Sequence, residues 1–148
     1  MTNPLNQSQL RRWHSLRLKL CLSCPIIAPA LAALQFFPQA GRGNLGPVGV
    51  DARGRVFLDV AWSSQRSDGE IAFATLHETL HLLLRHHDRR HNRHPMLWNI
   101  AADFVINDVV HNLGDDSLKP VRVEAALWRE RDVPDMPESL STEDVYTY

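Results

Sequence analysis

The stretch LHETLHLLLRHH, residues 76–87, decides how this chain folds. Around it, Ile71, Ala72, Phe73, Ala74, Leu76, Leu80, Leu82, Leu83 and Leu84 make residues 69–90 apolar almost all round. That pattern predicts a central, buried helix, with Asp68 as its N-cap. Three polar residues interrupt it: His77, Glu78 and His81 spell H-E-x-x-H. On a helix, positions four apart differ by about 40° in direction and about 6 Å in rise, so both imidazoles reach one metal ion. Glu78 stands beside them, placed to take a proton from water activated by that ion. Unpaired polar groups are costly on a buried helix, and a metal gives them a reason to be there.

The third ligand is harder to place. His87 lies ten residues after His77, the spacing of H-E-x-x-H-x-x-G-x-x-H sites, but Leu84 occupies the glycine position. In an uninterrupted helix His87 is carried about 9 Å beyond His81, and His86 points about 180° away from His77. His91 and His94 follow the expected helix end and return only through a loop. A better donor lies in LWNIAADFVIND, residues 97–108, where a second helix is expected to start near Pro95 and stop at Gly114. Asn99, Asp103, Asn107 and His111 form a polar stripe at four-residue intervals down this otherwise apolar segment. Core packing does not ask for such a stripe; a metal site across a helix–helix contact does. Asp103 then supplies a carboxylate oxygen, His77 and His81 the two imidazoles, and a fourth position stays open for water. Asn99 and Asn107 flank it as hydrogen-bonding supports of the ligands.

The rest of the sequence frames these two helices. Residues 8–23 read as a helix with Trp13, Leu16, Leu20 and Leu22 inward and Arg11, Arg12 and Lys19 outward. LAALQFF, residues 31–37, reads as a strand closed by Pro38, and VGVDARGRVFLDVAW, residues 48–62, as a hairpin turning near Asp51 and Gly54. In STED, residues 141–144, the capping-box pattern predicts a short last helix starting at Ser141. The expectation is one α+β domain over residues 1–148, with a small antiparallel or mixed sheet packed on the two ligand helices.

Composition narrows the function classes. With 44% apolar residues, 22% charged residues and a formal net charge of -1, the 148-residue chain is an ordinary globular one. It is neither disordered nor strongly basic, so nucleic acid is not the expected partner. Residues 20–41 carry no charge apart from their flanks, but Pro25, Pro29 and Pro38 break any spanning helix, so the segment reads as core and no membrane partner is expected. Cys21 and Cys24 form a single C-x-x-C, too few for a disulfide framework or a four-cysteine zinc site, and fit a reducing cytoplasm.

LHETLHLLLRHHDR followed by LWNIAADFVIN resembles the metallopeptidase domain found N-terminal to von Willebrand factor A-like domains in bacterial proteins. The likeness extends more loosely to VDARGRVFLDV and LSTEDVY, covering residues 10–148. It implies a zincin-like core, one zinc held by His77, His81 and Asp103, and Glu78 as catalytic base. Two departures stand out: a T-D-G strand motif of the family reads VDARG here, and the A-like domain is expected to be absent. The expected activity is zinc-dependent hydrolysis of a peptide or protein substrate. Its rivals are a zincin-like module that holds zinc without turnover, and a metal-dependent hydrolase of nucleic acid. An exposed strand edge near Arg55–Val60 is expected to pair with the substrate, and Tyr146 and His111 are candidates to stabilise the oxyanion.

Overall fold

In the computed structural model, which describes residues 4–40, 47–111, 113, 126–137 and 140–148, helix α1 (Pro4–Ser23) opens the chain. Trp13, Leu16 and Leu20 recur on one face of α1 and are almost wholly buried. Leu22, expected inward, is 84% exposed, because it lies off that stripe. Arg12 reaches from α1 to the start of the helix that carries His77 and His81, donating to Asp68 Oδ1 and to the Arg66 carbonyl.

A 3-10 turn (Pro25–Ile27) and helix α2 (Ala28–Ala33) follow, so the first residues of LAALQFF are helical. Strand β1 starts only at Gln35 and runs to Gln39, with Pro38 inside it. The proline is tolerated because β1 is an edge strand, where a missing N–H is harmless. Strands β2 (Val48–Val50) and β3 (Arg55–Asp59) form the expected hairpin. Asp51 Oδ1 accepts from Arg53 N and Arg55 N, and Gly54 takes φ +77°, which closes the turn. The sheet order is β1-β3-β2, with β3 parallel to β1 and antiparallel to β2. β3 is therefore the middle strand, and its Arg55–Asp59 segment is not the free edge expected from the sequence. Val60, Ala61 and Trp62 leave the sheet for helix α3 (Val60–Ser64), because Asp59 caps it by accepting from Ala61 N and Trp62 N.

Helix α4 (Asp68–Leu83) is the buried centre, with Ile71, Ala72 and Leu76 sealed from solvent. Its N-cap is Ser67 rather than Asp68, because Ser67 and Glu70 make a reciprocal capping box. The helix does not run on to residue 90. Leu84 drops out of helical geometry, Arg85 takes a left-handed conformation (φ 52°, ψ 40°), and helix α5 (His86–Arg89) starts afresh. Arg89 secures this break from both sides, donating to the Leu84 carbonyl at 2.8 Å and pairing with Glu143. The expectation of an unbroken helix through Leu84 is thus corrected.

Helix α6 (Pro95–His111) packs against α4, and the expected stop at Gly114 lies outside the described residues. Helices α7 (Arg129–Asp132) and α8 (Thr142–Thr147) follow, the latter with the expected Ser141 cap, completed by Asp144. The architecture is α+β: a small mixed three-stranded sheet among helices. No single helix among the described residues is long and apolar enough to cross a membrane. α1 and the Pro25–Ala33 segment reach that length only with a 115° bend between them.

Candidate metal centre

His77 and His81 project from α4, one turn apart, toward Asp103 on α6. Their Nε2 atoms lie 3.0 Å from each other, and Asp103 Oδ1 is 3.2 Å from His81 Nε2 and 3.4 Å from His77 Nε2. Metal–ligand bonds of about 2.0–2.1 Å in a tetrahedron place neighbouring donors roughly 3.3 Å apart, so one ion fits among these three atoms. Two imidazoles and one carboxylate would supply three ligands to a tetrahedral ion and leave its fourth to water. Among the described residues these three form the group able to hold a metal.

Each donor is oriented from behind. Asn107 is 1% exposed; its Nδ2 donates to the Leu127 carbonyl, which turns Oδ1 toward His77 Nδ1 at 2.7 Å. His77 Nδ1 therefore carries a proton, which lets Nε2 present its lone pair to a bound ion or, when the ring is protonated, donate to Asp103. Asn99 Nδ2 donates to Asp103 Oδ2 at 3.2 Å, leaving Oδ1 for the histidines. His81 Nδ1 meets His86 Nδ1 at 3.1 Å, and His86 Nε2 lies 3.0 Å from Thr142 Oγ1 on α8.

The electrostatics match a cation site. Burial alone would push the His77 pKa down, yet it is raised, because Asp103 and Glu78 draw a positive charge to this point. Burial pushes Asp103 up, but hydrogen bonds from His77 and His81 outweigh it and hold the carboxyl at about 2. His86 is held neutral, its pKa lowered to about 3 by burial and then by the neighbouring His81 and Arg89. Glu78 is buried beside His77, and no hydrogen bond from the described residues occupies its carboxylate.

Two cavities flank this line of residues, and His77, Glu78 and Asp103 border both. The larger, about 220 Å³, is walled by Val48, Trp62, Phe73, Ala74 and Leu127. The smaller, about 180 Å³, is walled by Val48–Val50, His81, His87 and Asn99. A bigger cavity of about 630 Å³ lies between Val105, Val109, Trp128 and Met136, and none of the three donors borders it.

The structure thus brings together His77, Glu78, His81, Asp103, Asn99 and Asn107. His87 does not join the donors; its Nε2–H donates to the Val50 carbonyl instead. Tyr146 OH accepts from His94 N, and His111 packs on Trp128, so neither oxyanion candidate faces the cluster. Sequence reasoning missed His86, which the break at Arg85 swings behind His81. Its one sequence signal was adjacency to the other histidines, and an unbroken helix would have pointed it away.

The chain belongs to the family described as "Putative metallopeptidase domain", whose model matches residues 9–148. The family description is that of a metal-dependent peptidase, and the His77–His81–Asp103 group is one that could hold the metal. No curated protein and no solved structure matches the chain.

Proposed function

We propose that the protein is a zinc-dependent peptidase with a zincin-like core, its ion held by His77, His81 and Asp103. The observation that carries this reading is the 3.0–3.4 Å convergence of three donor atoms beside the unengaged Glu78 carboxylate. Zinc bound there would act as a Lewis acid, polarising the scissile carbonyl and acidifying water. Glu78 takes the proton of the attacking water and delivers it to the leaving amine as the C–N bond breaks. Its burial next to His77 keeps it within reach of both groups and shields the transfer from bulk solvent. Asn107 and His86 keep each imidazole with its lone pair inward, while Asn99 holds Asp103 in register. The open edge of β2, beside both cavities, takes over the substrate-pairing role expected of Arg55–Val60. Free Cys21 and Cys24 suit a reducing compartment such as the cytoplasm.

One observation favours a second reading, a zinc-holding module without turnover: Tyr146 and His111 are engaged by His94 and Trp128 and border neither cavity beside the cluster. Hydrolysis of nucleic acid draws no support, since it needs His87 at the ion and His87 is bound to Val50.

The deciding experiment is metal analysis of the purified protein followed by cleavage of a peptide library with and without zinc. One zinc per chain, zinc-dependent cleavage and its loss in Glu78→Gln at unchanged metal content are expected. Stoichiometric zinc with no cleavage of any peptide would favour the module; no bound metal would overturn both.

A further inference from the structure

The strand edge that faces the candidate metal centre is closed at one end by the protein's own side chain. Within the β2–β3 pair, Asp51 N donates to Arg55 O and Asp59 N donates to Pro47 O. Backbone groups of alternate residues in an antiparallel ladder turn the opposite way. Val48 and Val50 therefore direct their N–H and C=O groups to the open edge of β2, which no other described strand pairs. Val48 borders both cavities, whereas Val50 borders only the one that contains His87. At that end the edge is already taken: His87 Nε2–H donates to the Val50 carbonyl at 3.0 Å. The left-handed turn at Arg85 is what carries His87 back to β2. At the other end, the space opens into the cavity walled by Trp62, Phe73, Ala74 and Leu127.

We propose that His87 is an end stop for the substrate groove, making the protein selective for peptides with few residues before the cut bond. This rests on the peptidase reading. A peptide lying antiparallel to β2 runs from His87 toward the Trp62–Phe73 cavity, because β2 itself runs from Pro47 toward Val50. It exchanges a full pair of backbone hydrogen bonds with Val48 and none with the Val50 carbonyl. Its N-terminal side is cut short by the His87 imidazole, and its C-terminal side continues past the apolar cavity. That cavity receives a large apolar side chain next to the cut. The substrate class is then short peptides, or the N-terminal ends of longer ones, with a bulky apolar residue following the scissile bond. His87 acts here by position and hydrogen bonding, outside the set of metal donors.

The test uses the zinc-loaded full chain carrying Glu78→Gln, so that peptides bind without being cut. Synthetic peptides with a single phenylalanine are lengthened by Gly-Ser residues on either side, and their Kd is measured by calorimetry. Lengthening on the C-terminal side should leave binding unchanged or improve it. Three residues added on the N-terminal side should weaken binding about tenfold or more. Adding His87→Ala to the same chain should restore the N-terminally extended peptides while zinc content stays the same. Equal tolerance of both extensions, or a His87→Ala profile identical to that of the parent, overturns the end stop while leaving the peptidase reading intact. Zinc at one per chain with no peptide bound at all would instead remove the peptidase reading, and the end stop with it.

Discussion

His86 Nδ1 stands 3.1 Å from His81 Nδ1, on the ring edge opposite the one that faces Asp103. When His81 Nε2 presents its lone pair to a bound ion, its Nδ1–H must donate to His86 Nδ1. His86 then carries its own proton on Nε2 and donates to Thr142 Oγ1. One tautomer in each ring satisfies the whole chain, and the low pKa of His86 keeps it neutral enough to accept.

Removing that acceptor should therefore be felt at the ion. We expect His86→Ala to weaken zinc about 10–100-fold, the usual effect of losing a hydrogen-bond partner behind a metal-binding histidine. Competition against a chromophoric chelator measures it. A variant that binds zinc like the parent would mean that His81 does not depend on this contact.

The two residues offered by sequence as third donor should separate cleanly. Asp103→Ala should lose zinc during dialysis, whereas His87→Ala should retain one ion per chain, because its imidazole is spent on Val50. Elemental analysis of both proteins decides this, and the reverse pattern would refute the donor set.

Arg85 pays for the break between α4 and α5 with a left-handed backbone, costing about 1 kcal/mol for a residue with a side chain. Its ion pair with Asp88 is exposed and contributes little. Arg85→Gly should accordingly leave stability unchanged or raise it by up to ~1 kcal/mol, read from denaturant unfolding. A clear loss would show that the arginine side chain holds the turn.

Glu70 gives a pH dependence with a definite sign. The Ser67 backbone N–H, the Ser67 hydroxyl and Arg66 hold its pKa below the usual value of 4.5, against some desolvation. A carboxyl depressed on folding contributes stability that is full above its unfolded pKa and is lost as pH falls through the folded one. Glu70→Gln should thus flatten the acid limb of the stability curve below about pH 4.5 while still accepting from Ser67 N. Glu70→Ala should cost about 1 kcal/mol at neutral pH through the lost cap. Thermal unfolding between pH 3 and 7 would show both, and parallel curves for parent and Glu70→Gln would contradict the assignment.

The sequence shows the two helices that carry His77, His81 and Asp103 because their signals are periodic. His77 and His81 share a helical face, and the stripe Asn99–Asp103–Asn107 has no reason to exist on an apolar helix without a polar partner. Local chemistry was legible too: the Ser141–Asp144 box and the Asp51–Gly54 turn follow from residue type at fixed offsets. What stayed hidden depends on contacts between distant segments. The break at Arg85 carries neither glycine nor proline, and it is secured by Arg89 reaching the Leu84 carbonyl and Glu143. Sheet order was equally hidden, since the parallel pairing of β1 with β3 puts Arg55–Asp59 in the middle and gives β2 the free edge. Pro38 looked like a stop only because an edge strand and a central one read alike from a single residue.

The hydrogen-bond chain from His81 through His86 to Thr142 spans 56 residues between its last two members and ends on α8. Arg89 and Glu143 fasten the same helix to α5. Binding of the proposed ion and docking of the last helix would therefore be linked quantities, and by reciprocity each would strengthen the other by the same factor. Trp98 donates to the His86 carbonyl and packs against Tyr146 of α8, so its fluorescence sits on the joint between the two. Amide exchange in Thr142–Thr147 should slow when zinc is added, making the far end of the chain a gauge of whether the cluster is filled.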